Sequence, residues 1–222
     1  MAGLFNKGNV KINERTFTCQ RDNLTIWGTE YRPEGDCLPI AIVSHGFMAF
    51  QDTVRQYAKA MAEMGYVSYC FDFCGGCVIK GKSDGSISKL VLFYPALCIP
   101  DDARAGKMMF AKFDPDHIPD IIHCGPMKLG KCYVKDVIGI DPYQEIRDFS
   151  GDVLIVHGTK DKIVNMEYSK RAYELYLENK GKKDEPRVVS FFPLDGGRHG
   201  FSKRHDRVAI EHLKQFLAVG TT

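Results

Sequence analysis

The sequence predicts an α/β fold built on a mostly parallel sheet with helices on both faces. Near-continuous apolar runs recur at PIAIVS (39–44), VSYCFDF (67–73), KLVLFYPAL (89–97), VLIV (153–156) and RVVSFFPL (187–194). Three of them lead through a Gly- or Asp-containing loop into a helix-period segment, and strands without polar alternation belong to sheets covered on both faces. The composition, 44% hydrophobic and 26% charged over 222 residues, is enough for a buried core.

Taken in order, TFTCQ (16–20) and LTIWGTEY (24–31) alternate more than the later runs, as an antiparallel edge hairpin would. After PIAIVS and HGF, Asp52 is expected to cap an amphipathic helix, TVRQYAKAMAEMGY (53–66). VLIV runs into HGTKDK and then a helix through MEYSKRAYELYLEN (166–179). RVVSFFPL runs into DGGRHGF (195–201), and the last helix is DRVAIEHLKQFLAV (206–219). Residues 98–150, rich in Pro, Gly, Met and Asp, read as an insertion lying over one edge of the sheet.

Bulk properties narrow the partners. Thirty basic against 28 acidic residues give a formal net charge of +2, too little to draw the chain to nucleic acid or an anionic membrane. No apolar stretch approaches the roughly 18 residues of a spanning helix, and MAGLFNKGNV lacks the apolar core of a signal peptide. Eight cysteines in such a chain are expected to be reduced thiols in a cytoplasm. The mixed-sign run ENKGKKDEPR (178–187) reads as a solvated loop.

One loop, CGGCVIKGKSDG (74–85), spells three motifs at once: a C-x-x-C pair, a G-x-x-x-x-G-K-S phosphate loop and a G-x-S-x-G nucleophile elbow centred on Ser83. A phosphate loop needs a helix to begin at its Lys-Ser, but the chain continues DGSISKLVLFYPAL, a turn followed by a strand. A zinc site needs two further ligands at similar spacing, and Cys124 and Cys132 are isolated. An elbow joins a buried strand to a helix, whereas only Val78-Ile79 precedes Gly81 and another strand follows Gly85. Ser83 is therefore read as a turn residue, and neither metal nor cofactor is expected.

The ends of the last two strands are more informative. Asp161 follows VLIV through a short loop, and His199 follows RVVSFFPL through DGGR. One helix separates those strands, so the unit is βαβ and both loops emerge at the carboxyl edge of the sheet, where open α/β sheets place their sites. A carboxylate there can orient an imidazole and stabilise its cation, and the order acid-then-histidine follows the hydrolase triad. In SHGFMAF (44–50) the chain turns at Gly46, which makes the backbone N–H of Phe47 a candidate oxyanion donor. His45 and His157 are read as turn residues, and His205 and His212 as surface or packing residues of the last helix.

AIVSHGF, YCFDFCGG, LVLFYPAL, VLIVHGTKDKIV and DGGRHGF, in this order, resemble the α/β-hydrolases, and more closely the bacterial feruloyl or cinnamoyl esterases. The resemblance covers nearly the whole chain. It implies Asp161 as triad acid, His199 as general base and Phe47 as oxyanion donor. It also implies a core of residues 1–97 and 151–222, with 98–150 capping a pocket for an aromatic acyl ester; Met108, Met109, Phe110 or Tyr133 are candidate pocket residues.

The departure from the family is large. The helix, the strand with its G-x-S-x-G and the following helix that the family places after FDF are absent near the 85/86 junction. A βαβ unit takes about 30 residues, so the nucleophile is unidentified. The rival expectation is a catalytically silent small-molecule binding protein. KLVLFY is expected to move beside PIAIVS and pair with it in parallel, leaving one sheet face bare and favouring a homo-oligomer.

Overall fold

The computed structural model describes residues 10–72, 87–125, 127–180 and 187–219, which divide into two compact units, Met1–Ile79 and Lys80–Thr222. The loop CGGCVIKGKSDG, with Cys74, Cys77 and Ser83, and the 85/86 junction lie outside the described residues, as does most of ENKGKKDEPR.

In the first unit, β1 (Ile12–Arg21) and β2 (Leu24–Pro33) form the expected antiparallel hairpin, in register from Ile12↔Pro33 to Arg21↔Leu24. Asp22 in its turn has φ 54°, a left-handed conformation that Asp tolerates. β3 (Ile40–Ser44) and β4 (Val67–Phe71) pair in parallel, and β4 also pairs antiparallel with β2, giving the order β1-β2-β4-β3. Between β3 and β4 runs α1 (Arg55–Glu63), whose Ala58 and Ala62 pack on Tyr31 and Cys70. The buried Ser68 hydroxyl is satisfied by donating to the Ala58 carbonyl at 2.7 Å.

Asp52 does not cap that helix. A 3-10 turn (Gln51–Thr53) intervenes, Val54 occupies the cap position without a side-chain bond, and Asp52 instead pairs with Arg55 at 2.6 Å. The tighter turn places Asp52 inside the helical segment, where a salt bridge three residues on is within reach.

The second unit begins with β5 (Lys89–Phe93). Residues 98–150 then fold as α2 (Ile99–Arg104), two short hairpins, β6 (Lys107–Met108) with β7 (Ala111–Lys112) and β8 (Ile121–Cys124) with β9 (Met127–Gly130), and the helices α3 (Lys131–Ile138) and α4 (Pro142–Arg147). After these come β10 (Asp152–Gly158), α5 (Glu167–Lys180), β11 (Val189–Leu194) and α6 (Lys203–Ala218). β5 and β11 flank β10, both in parallel. Val153 and Ile155 of β10 face Ala172 and Tyr176 of α5 in one buried cluster, while α6 also contacts β10. Alternation along a strand turns Leu154 and Val156 to the other face, and both are buried as well. The apolar VLIV run is thus a strand covered on two sides.

The segment 98–150 is tied down at its two ends. The Tyr168 hydroxyl of α5 donates to Asp101 of α2 at 2.9 Å, and Arg104 donates to the carbonyls of Ile138 and Ile140.

The expected pairing of KLVLFY with PIAIVS is not what forms. β5 lies in the three-stranded sheet and β3 in the four-stranded one. β10 gives β5 a five-residue parallel ladder and β4 does the same for β3, so each strand meets its main-chain pairing on one side within its own sheet.

Two isoleucines test these assignments. Ile155 is fully buried and Ile42 of β3 is 68% exposed. Ile155→Ala should cost about 2–5 kcal/mol in chemical denaturation, and Ile42→Ala no more than about 0.5 kcal/mol. Equal losses would refute this reading of the two strands.

Candidate active site

Because β10 and β11 run in parallel, the loops that follow them leave the sheet at the same end. The loops are laced together by main-chain bonds. Thr159 N–H donates to Leu194 O at 3.0 Å and Lys160 N–H to Gly197 O at 2.8 Å. Gly196 N–H donates to the Thr159 hydroxyl at 2.9 Å. At the crossing point the backbones touch: a Cβ on Gly158 would lie 2.3 Å from Gly197 O, closer than any real side-chain atom sits. Glycine here serves close approach.

That lacing brings two of the sequence-predicted residues together. His199 Nδ1 lies 2.8 Å from Asp161 Oδ2. The Asp161 side chain is 1% exposed and that of His199 is 28% exposed, so the acid is sealed and the imidazole reaches solvent. Asp161 Oδ1 accepts the N–H groups of Ile163 and Val164 at 2.9 and 3.0 Å. Burial pushes the Asp161 carboxyl up, but the Val164 N–H, the His199 bond and the Ile163 N–H outweigh it, and the group titrates below the usual carboxylate range.

Two neighbours were not foreseen as part of the site. His157, read from sequence as a turn residue, is fully buried, with Nε2 3.2 Å from Asp161 Oδ2 and 3.1 Å from Val164 O, and Nδ1 2.7 Å from Ser169 Oγ. Its burial lowers its pKa. Its signal was the spacing H-G-x-x-D, which sets the ring four residues before the acid. Tyr94, at the end of β5, has φ 38°, and its ring centroid is 4.9 Å from that of His199 and 4.6 Å from Phe201. A bulky residue in the left-handed region is strained, and no sequence pattern announces it.

Phe47 belongs to the other unit. It sits in the turn after β3, closed by Ala49 N–H to Gly46 O at 3.1 Å, with Met48 at φ 60°. The turn leads into a braced segment, where Gln51 binds Asp72 through both its N–H (2.7 Å) and its side chain (2.8 Å). His45 is buried beside it, with Nδ1 2.9 Å from Gly46 O. His205 lies in the first turn of α6, and His212 packs against Phe192.

A cleft of about 440 Å³ adjoins Asp161, lined by polar groups that include Thr159, Lys162, Asn165 and Glu167. Of the residues suggested for an acyl pocket, Met108 is 1% exposed, and its carbonyl accepts the Cys124 thiol, so it packs inside the 98–150 segment. Phe110, at the tip between β6 and β7, is 78% exposed. Among the described residues no cluster of His, Cys, Asp and Glu could hold a metal, and no helix is long and apolar enough to cross a membrane.

Parallel strands flanked by helices, with Asp161 and His199 on successive loops at the sheet's carboxyl end, make an α/β arrangement of the kind α/β-hydrolases share. Solved structures agree. Est1E from Butyrivibrio proteoclasticus is similar over 91% of this chain and 99% of its own, with 19% identity and a TM-score of 0.75. The same protein with ferulic acid bound gives 20% identity and a TM-score of 0.76, over 91% and 98%. An esterase from Pyrococcus furiosus gives 13% and 0.61, over 94% of this chain and 92% of its own. No protein-family model matches the sequence, and neither does any curated protein.

Two predictions follow from this geometry. Gly158→Ala must force the two loops apart, so stability should fall by at least about 1–3 kcal/mol; the His199–Asp161 bond, followed by the downfield Nδ1 proton, should weaken with it. An unperturbed proton signal would show that the loops are held elsewhere.

The second concerns acid stability. A depressed folded pKa means the unfolded chain binds more protons, so stability rises with pH in that window. The cost at His157 sets in as pH falls below the ordinary histidine value of 6.5. The contribution of Asp161 is complete above the ordinary carboxylate value of 3.8 and is lost as pH falls through the lower folded value. Urea midpoints should therefore decline in two stages, with His157→Gln shrinking the upper stage and leaving the part due to His212, which burial also lowers. A wild-type profile flat down to pH 4 would contradict the assignment.

Proposed function

We propose that this chain is a carboxylic-ester hydrolase scaffold in which His199 is the general base, Asp161 its orienting acid and the Phe47 N–H one oxyanion donor. The observation that carries the reading is the His199–Asp161 bond on paired loops at the carboxyl end of parallel strands. In the full mechanism a serine attacks the ester carbonyl, the imidazole takes its proton and returns it to the leaving alcohol, and the carboxylate stabilises the imidazolium. The serine is the part this sequence does not supply. The sequence carries no elbow segment of the family's kind near the 85/86 junction, and Ser83 is not taken as the nucleophile in this reading.

The substrate class proposed is an aromatic acyl ester, supported by the sequence resemblance and by the ferulic acid bound to the similar Est1E. Residues 98–150 are proposed as a cap on a core of residues 1–97 and 151–222, in a cytoplasmic protein that self-associates. The absent elbow favours a second reading, a binding protein that keeps the pocket without turnover.

Purified protein should hydrolyse 4-nitrophenyl and hydroxycinnamoyl esters little faster than buffer. Any residual rate should fall further in His199→Ala, and a fluorophosphonate probe should label no serine. Ordinary enzymatic turnover lost in Ser83→Ala would overturn the dismissal of that serine. Residual turnover indifferent to His199→Ala would remove the base assignment. Calorimetric binding of hydroxycinnamates without turnover would favour the second reading.

A further inference from the structure

The hydrogen bonds around His157 leave one arrangement of protons. Val164 O can only accept, and so can an ionised Asp161; Nε2 lies 3.1 Å from the first and 3.2 Å from the second. Nε2 must therefore carry the hydrogen. The ring is fully buried and burial keeps it neutral, so Nδ1 is bare and accepts from the Ser169 hydroxyl at 2.7 Å. The Asp161 carboxylate then receives the N–H groups of Ile163 and Val164 on Oδ1 and the Nδ1–H of His199 on Oδ2, and the His157 Nε2–H, bonded to Val164 O, also faces Oδ2 at 3.2 Å. A carboxylate so filled cannot turn about its Cβ–Cγ bond without breaking charge-assisted bonds in a buried setting.

We infer that His157, set by Ser169, is a positioning residue that fixes Asp161 so that His199 is held as its Nδ1–H tautomer, with Nε2 left bare. The inference deepens the hydrolase reading, since only a bare Nε2 can accept a proton from an attacking hydroxyl. The two histidines approach the same oxygen, one from the closed interior and one from the solvent side.

The test needs no turnover, so it stands apart from the hydrolase reading: an inactive chain can uphold it and an active one can sink it. Long-range proton–nitrogen spectra of uniformly 15N-labelled full-length protein at neutral pH report the tautomer of each ring. His157 should appear as neutral Nε2–H and His199 as Nδ1–H. A wild-type His157 found as Nδ1–H, or doubly protonated, overturns the inference. His157→Leu should raise the Nε2–H share of His199 several-fold, and His157→Gln, whose amide offers a donor near the lost Nε2–H, should restore the wild-type pattern. A folded Leu variant with His199 unchanged overturns it. Should the Leu variant not fold, Ser169→Ala, which removes the bond that orients the His157 ring at Nδ1 while Val164 O and Asp161 still hold its Nε2–H, should shift His199 in the same direction, and no change in His199 overturns it.

Discussion

The constraint on which the site depends is a contact between two pieces of main chain that have no side chains to keep them apart. Gly158 closes β10 and Gly197 lies in the loop after β11, and the room between them excludes even a methyl group. Strand pairing alone would bring the two loops to the same end of the sheet, separated by an ordinary strand spacing. The close approach draws them together, so that Thr159 and Lys160 bond across to Leu194 and Gly197 and the next residues, Asp161 and His199, meet. Asp161 and His199 are brought together largely by backbone geometry, to which the Thr159 hydroxyl adds a side-chain tie.

The same logic explains the unequal exposure of the pair. Asp161 sits on the loop that turns back into α5, and the first amides of that turn, Ile163 and Val164, converge on its inner oxygen. The interior histidine converges on the other. His199 lies on a loop that runs outward to α6, and it keeps a solvent face against Tyr94. A buried carboxylate beside a solvent-open imidazole is the arrangement that the proposed general-base role of His199 would use.

Much of the architecture is legible in the sequence because it depends on patterns of period and punctuation. VLIV and RVVSFFPL announce buried parallel strands, HGTKD and DGGRH announce tight loops, and the helix between them fixes the side on which the loops emerge. Asp161 and His199 could be named on that basis. His157 could not be separated from a turn residue, because its partners, Ser169 and Val164, are defined only once the turn into α5 folds back over the ring. Tyr94 was invisible for another reason: a left-handed tyrosine is imposed by its surroundings, against its own preference. Asp52 looked like a helix cap because a 3-10 turn and the first turn of an α-helix read alike in letters. The misplaced partner of KLVLFY has a similar origin, since apolar strands advertise that they pair but not with whom.

The ties at the two ends of residues 98–150 carry a consequence for how this protein can change over time. Asp101 reaches Tyr168 at the start of α5, and Arg104 grips the carbonyls of Ile138 and Ile140, so the ends of the segment are clasped before its hairpins begin. What lies between, from Lys107 to Gly130, is a cassette on a fixed frame. An exposed tip residue such as Phe110 can be exchanged there at little cost, whereas the buried Met108, Ile122 and Cys124 hold the hairpins to that frame. What faces outward in this segment can therefore vary at positions that its buried residues do not depend on.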